Sequence, residues 1–260
     1  MEFSLVNFKN NFKKNGIHIF PNIIDFFECR KIILKLENIL DQRKKNKEYI
    51  GDEKNQVLYN FFYEELSLAR VVTLSLIDTL MRDLIDDDYV LISSQAKNRR
   101  KVNYIKVKNS SGGIGWHTDG RFVGRKLIKP SLCYTIIIAL EDFTKENGST
   151  RYISASHEKD VKPDRNENYD YTTLEMKAGS IAIMNTSLWH TAGPASDKSR
   201  WSIFNMYGPW FVKPYFRYND IFDEKKIINF SPLLHKLLHF QSTPPLNQNE
   251  RLATLTRVGF

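Results

Sequence analysis

The sequence predicts a mainly β fold, a sandwich or jelly roll with helices packed at its N-terminal end. Three observations lead there. Long stretches of helical periodicity are confined to the first 87 residues. From about residue 88 the texture changes to short β-prone runs separated by turn residues. The chain has 260 residues and 42% hydrophobic content, enough for one large domain with a substantial core.

Residues 5–15 read as a short helix, and Gly16-Ile17-His18-Ile19-Phe20 as a strand stopped by Pro21. Residues 23–41 place Ile23, Phe27, Ile32, Ile33, Leu36 and Ile39 close to a 3.6-residue period, which predicts a second helix. The charged segment Arg43–Asn55 reads as a loop, and Glu64–Leu84 as one further helix with Leu66, Val71, Leu74, Leu76 and Leu80 on its buried stripe. Strands are expected at Tyr89–Ser93, Val102–Val107, Leu132–Leu140, Arg151–Ser154, Tyr171–Leu174, Ile181–Asn185 and Arg200–Trp210. Asn147-Gly148 signals a hairpin-type turn, and Ala178-Gly179-Ser180 punctuates the entry to the next strand. The C-terminal region carries a short helix near Leu233–Phe240 and a Pro-rich loop at Ser242–Pro245. We read 1–260 as a single domain: a helical N-terminal region over 1–87, a β core over 88–210 and an extension over 211–260 packed on it. No internal repeat or linker interrupts it.

The net charge is +8, but Lys and Arg are scattered, with short clusters at Arg43-Lys44-Lys45 and Arg99-Arg100-Lys101. No zinc-finger or RRM signature accompanies them, so the charge reads as solvated surface, with a basic mouth that attracts an anionic substrate as the alternative. No apolar run is long enough to span a membrane. The opening residues lack the basic-then-apolar pattern of a signal peptide. The two cysteines, Cys29 and Cys133, give no disulfide framework, which points to a reducing cytoplasm.

The residues that carry chemistry are Gly115-Trp116-His117-Thr118-Asp119-Gly120, taken with His190 and Arg200. His117 and Asp119 are two apart, so on an extended strand both side chains point to one face. With a distant histidine they complete a 2-His-1-carboxylate facial triad, the donor set of non-haem Fe(II) oxygenases. Such a triad leaves three metal positions open. A 2-oxo acid chelates through its keto oxygen and one carboxylate, leaving a place for O2. The remote carboxylate of that acid needs a bidentate fork, which Arg200, ten residues past His190, supplies. Zinc fits the same donors, but no His-Glu-x-x-His helix motif accompanies them.

Around these residues the sequence resembles the phytanoyl-CoA dioxygenase family of Fe(II)/2-oxoglutarate oxygenases. Phe12-Lys13-Lys14-Asn15-Gly16-Ile17-His18-Ile19-Phe20-Pro21-Asn22 is similar to the family's opening helix and "dGyvvlpn" strand. Residues 139–150, Ala-Leu-Glu-Asp-Phe-Thr-Lys-Glu-Asn-Gly-Ser-Thr, resemble its "ALdd-t-eNG" hairpin. Ser154-Ala155-Ser156-His157 stands where the family has "PGSH". Lys177-Ala178-Gly179-Ser180 stands where it has a "GD" turn, and His190-Thr191-Ala192-Gly193 with Arg200 matches the "H-x-x-G … R" ending. The ordered set spans roughly residues 12–205. It departs from the family in lacking the Pro and Gly of "PGSH", in Ser180 for Asp, and in Ala192 where many members have Ser.

The resemblance implies a double-stranded β-helix, a jelly roll with outer helices. It also implies that His117, Asp119 and His190 bind iron and that Arg200 holds the far carboxylate of 2-oxoglutarate, with O2 as the second co-substrate. Thr135 and Tyr104 are the further candidates for co-substrate contacts. Arg121 and His157 are candidates for substrate contacts, although a histidine at position 157 also suits a turn-closing hydrogen bond. With a carboxylate at Asp119, hydroxylation of a small or medium polar metabolite is expected rather than halogenation. A non-catalytic binding protein on the same fold, or an oxygenase of nucleic acid, is the alternative. Trp116 and Trp189, each preceding a ligand histidine, are expected to point away from the metal. His235 and His239 have ligand spacing on a helix but no third partner, and are expected at the surface.

Overall fold

Strands covered on both faces read as continuous apolar runs, and Tyr134–Ala139 is such a strand, buried throughout. It lies inside a seven-stranded antiparallel sheet. The computed structural model describes residues 5–48, 50–51, 55–99, 115–120, 122–123, 126–194 and 200–251. The large sheet runs in the order β1 (Ile17–Phe20), β10 (Ile181–Asn185), β7 (Tyr134–Ala139), β12 (Arg200–Pro209), β4 (Tyr89–Arg99), β3 (Asn55–Tyr59), β2 (Ile50–Gly51). A three-stranded sheet joins β11 (His190–Ala192), β8 (Thr150–Tyr152) and β9 (Thr172–Thr173), and β5 (Phe122–Val123) pairs with β6 (Lys126–Leu127).

The alternation along β7 assigns the two faces of the large sheet. Ile136 and Ile138 join the main core with Phe8 and Phe12 of α1 (Leu5–Asn15), Ile32 and Leu36 of α2 (Phe26–Lys45), and Ile77 and Leu80 of α3 (Ser75–Leu84). Ile137 and Ala139 turn the other way and pack with Ala182, Met184 and Leu174. Helices therefore cover the outer face, and the inner face meets the small sheet. No helix among the described residues is long and apolar enough to cross a membrane.

The N-terminal region differs from the expectation in three ways. First, α2 starts at Phe26, not residue 23, because the Asp25 carboxylate accepts the Phe27 N–H at 2.8 Å as an N-cap. The preceding Ile23 and Ile24 N–H groups both donate to the Gly179 carbonyl at 2.9 Å. Ile23 and Phe27 thus leave the buried stripe, at 38% and 73% exposure. Second, α2 continues into the segment expected to be a loop. Arg43 holds its last turn, donating to Glu64 at 2.7 and 3.0 Å and to the Tyr59 carbonyl at 2.8 Å. β2 and β3 follow, so this region contributes strands as well as helices.

Third, Glu64–Leu84 is not one helix. A 3-10 segment, Leu66–Val72, is separated from α3 by Leu74 in extended conformation. Val71, Val72 and Thr73 are β-branched and poor in a helix. Their carbonyls also have better partners: Asn205 donates to Val71 and the Tyr207 hydroxyl to Val72, each at 2.9 Å. Asn205 is fully buried and also accepts the Ser94 hydroxyl at 2.8 Å. Asn205→Ala is expected to destabilise the protein by about 1–3 kcal/mol, since it orphans both partners. Urea unfolding should show it as a lower midpoint at unchanged slope.

The turn before β10 needs its glycine. Gly179 has φ +83°, and a Cβ there would lie 2.0 Å from the Ile24 carbonyl oxygen. Asn147-Gly148 forms a turn, a capped 3-10 segment with Gly148 left-handed, but not a hairpin, since β7 before it and β8 after it lie in different sheets. His239 departs from its expected surface position. It is buried, stacked on Tyr218, with Nε2 3.0 Å from the Leu91 carbonyl. His235 is half-buried and reaches the Ile227 carbonyl at 3.1 Å. Cys29 and Cys133 are both buried and are not joined in a disulfide, and burial pushes the Cys29 thiol up to about 11. The strand expected at Val102–Val107 lies outside the described residues.

Candidate metal centre

His117 and His190 face each other across an antiparallel bridge that extends the small sheet. The His117 N–H donates to the His190 carbonyl at 3.0 Å, and the His190 N–H donates back at 2.9 Å. Residues directly opposed in this way put their side chains on one face, and the two imidazole centroids are 4.2 Å apart. Asp119, two positions on, joins them. Its Oδ1 is 3.9 Å from His117 Nε2 and its Oδ2 3.5 Å from His190 Nε2. One donor atom from each of the three lies within 4.8 Å of the others.

The ring orientations are set by the backbone. His117 Nδ1 lies 2.9 Å from the Gly115 carbonyl, and His190 Nδ1 lies 2.9 Å from the Leu188 carbonyl. A carbonyl only accepts, so each Nδ1 carries the proton and each Nε2 presents a lone pair. Burial, then the neighbouring His190, holds the His117 pKa below its usual value and keeps the ring neutral. In that tautomer two lone pairs and a carboxylate converge, a donor set that fits a divalent metal.

Backbone contacts hold the segment in place. The Thr118 hydroxyl donates to the Thr186 carbonyl at 2.7 Å, and the Gly120 N–H donates to the same oxygen at 2.6 Å. Gly115 has φ +79°, with the Arg165 carbonyl 2.7 Å from where a Cβ would stand. Trp116 and Trp189 are buried on either side of Tyr169, at centroid distances of 5.6 and 5.4 Å, and neither lines the cavity beside the triad.

Arg200 opens β12 and is buried, at 4% exposure. Its Nη2 donates to the Gly148 carbonyl at 3.2 Å, and its guanidinium lies 3.7 Å from the Phe143 ring centre. Among the described residues its Nε and Nη1 have no hydrogen-bond partner. Burial, followed by the second cation Arg99, pulls its pKa down to about 9. A buried guanidinium with two donors left over has the geometry to receive a carboxylate.

Triad and arginine share one cavity of about 410 Å³, which Thr135 and Lys97 also line. Thr135 is buried, and its hydroxyl has no partner among the described residues. Its register partner is Met206, six positions along β12 from Arg200, or roughly 20 Å at the rise of a strand. It therefore stands far from Arg200, towards the end of β10 from which the chain turns back into β11. His157 is not in the cavity. It is buried, and its Nε2 lies 3.0 Å from the Lys13 carbonyl, closing the turn onto α1. Tyr104 and Arg121 lie outside the described residues. Sequence reasoning misses Gln95, Lys97 and Arg99, which line the cavity from β4. Their signal is the alternation of a strand that runs on past Ser93 to Arg99.

The profile of the phytanoyl-CoA dioxygenase (PhyH) family matches residues 12–202. The chain belongs to this family. The phytanoyl-CoA dioxygenase family is Fe(II)- and 2-oxoglutarate-dependent and uses O2. Curated relatives include the uncharacterized protein Rv1501 of Mycobacterium tuberculosis, 26% identical over 117 residues, 44% of this chain and 43% of the relative. The dioxygenase andF of Emericella variicolor is 30% identical over 121 residues, 45% of this chain and 41% of the relative. The chain thus spans less than half the length of these relatives. Among solved structures, HygX from Streptomyces hygroscopicus with nickel and 2-oxoglutarate bound has a TM-score of 0.63 at 15% identity, covering 83% of this chain and 91% of its own. The 2-oxoglutarate-dependent epimerase SnoN from nogalamycin biosynthesis has a TM-score of 0.59 at 17% identity, covering 79% and 83%. These likenesses show the shared jelly-roll fold.

Proposed function

We propose that the chain is an Fe(II)/2-oxoglutarate-dependent dioxygenase that hydroxylates an unactivated C–H bond of a small or medium polar metabolite. One observation carries the reading: two backbone-locked Nε2 lone pairs and the Asp119 carboxylate converge in the same cavity as a buried arginine with two free donors. In this reading His117 and His190 hold the metal through Nε2 and Asp119 through its carboxylate. Arg200 holds the far carboxylate of 2-oxoglutarate, and the Phe143 ring beneath the guanidinium keeps water from that ion pair. The Nδ1 hydrogen bonds keep both rings in the ligating tautomer, so no ring proton has to leave when the metal binds. When bound, the metal with 2-oxoglutarate and O2 supplies C–H oxidation coupled to release of succinate and CO2.

Because SnoN is an epimerase on a similar fold, stereoinversion at the attacked carbon is the second reading, and product analysis separates the two. A library of metabolites, screened with Fe(II) and 2-oxoglutarate, should yield compounds that raise succinate release and gain one oxygen atom. Succinate release no higher than in a metal-free control would refute the proposal.

A further inference from the structure

Lys97 lines the cavity but has no part in the proposed reaction. Gln95, Lys97 and Arg99 sit at alternate positions of β4 and all line the cavity. The register sets Ser202 opposite Lys97 and Arg200 opposite Arg99, so the lysine is one strand step from the arginine pair. Lys97 Nζ lies 4.7 Å from the centre of the Phe204 ring, another cavity residue. Among the described residues no carboxylate lies within ion-pair distance of it, and Asp119 is the sole carboxylate lining the cavity. Burial depresses the Lys97 pKa, Asp119 opposes this, and Arg99 and Arg200 add to it.

The charge balance of the filled site identifies what Lys97 lacks. The two charges of the metal are matched by Asp119 and the chelating carboxylate, and Arg200 is matched by the far carboxylate. Lys97, half-buried in the cavity wall, then stands beside Arg99 on the same strand with no carboxylate in ion-pair distance among the described residues, and an anion brought by a ligand would favour its charged form. We infer that Lys97 receives an anionic group of the substrate, which makes the substrate an organic carboxylate or phosphate. This rests on the oxygenase reading, since it assigns both carboxylates of 2-oxoglutarate elsewhere.

The same chemistry has a second source, the chelating carboxylate of 2-oxoglutarate, so the test has two arms. Under anaerobic conditions, 2-oxoglutarate is titrated into Fe(II)-loaded wild-type and Lys97→Met protein, followed by visible charge-transfer absorbance. The two proteins are expected to agree within about threefold. Sulfate is then titrated calorimetrically into the loaded proteins, and Lys97→Met is expected to bind it at least about tenfold more weakly, as fits loss of one charge-assisted hydrogen bond. Lys97→Arg, which keeps the charge, is expected to retain sulfate binding, and melting curves show that both variants fold.

Equal sulfate binding by wild type and Lys97→Met, or no sulfate binding by wild type, overturns the inference. So does a loss of 2-oxoglutarate affinity in Lys97→Met as large as its loss of sulfate. Failure of the oxygenase reading looks different: wild type itself gives no absorbance change with 2-oxoglutarate. The sulfate comparison is then made on metal-free protein, where the same weakening in Lys97→Met supports the anion site and its absence overturns it.

Discussion

His117→Ala is expected to abolish 2-oxoglutarate turnover and to lower Fe(II) affinity by more than about 100-fold. Loss of an outer-sphere partner alone costs about 10- to 100-fold, and this variant removes a donor atom. His117 is also the residue that pins the triad, because its backbone bridge to His190 brings the two rings to 4.2 Å. The alanine variant keeps that backbone bridge, so folding should survive while the donor is lost. The informative contrast is His157→Asn. His157 is buried and tied to the Lys13 carbonyl, away from the cavity. That variant should lower the melting temperature yet leave 2-oxoglutarate turnover per folded molecule intact. Turnover in His117→Ala at the wild-type rate would remove the triad from the mechanism.

Arg200→Ala is expected to raise the 2-oxoglutarate requirement about 100-fold or more while leaving metal affinity nearly unchanged. Truncating one partner of a buried charge pair costs about 2–5 kcal/mol, and 100-fold corresponds to about 2.7 kcal/mol. The free protein should not suffer the same loss, because the variant removes a buried cation whose Nε and Nη1 are unpartnered. The signature is therefore split. Thermal stability without 2-oxoglutarate holds or rises, and the stabilisation that 2-oxoglutarate gives to wild type disappears. Arg200→Lys should recover only a fraction of the affinity, since a point charge lacks the planar fork. An unchanged 2-oxoglutarate dependence in Arg200→Ala would take the arginine out of its role.

The features of the site that sequence reveals are those with local spacing. His117 and Asp119 are two apart, the spacing that puts side chains of extended backbone on one face, and Ile181–Asn185 is a strand because Ile181–Met184 is an unbroken apolar run. The pairing of His117 with His190 is tertiary: β11 has only three residues, too short to carry a pattern. β4 reads as too short for a related reason. Its second half, Gln95-Ala96-Lys97-Asn98-Arg99, turns polar side chains into a polar cavity, so it lacks the apolar alternation that marks a half-buried strand. The same absence hides Lys97 and leaves Arg99 reading as surface charge. Helical periodicity fails where side-chain bonds outcompete it, as Asn205 and Tyr207 do at Val71 and Val72. His239 reads as a surface residue because spacing on a helix does not tell which face Tyr218 and the Leu91 carbonyl will cover.

The central claim is that His117, Asp119, His190 and Arg200 form one centre for Fe(II) and 2-oxoglutarate. The most direct measurement is an anaerobic titration of 2-oxoglutarate into the Fe(II)-loaded protein, with metal content determined on the same sample. The expected result is one Fe(II) per chain and a visible charge-transfer band that saturates at one equivalent of 2-oxoglutarate. Stoichiometric zinc with no spectral or calorimetric response of the Fe(II)-loaded protein to 2-oxoglutarate would contradict it.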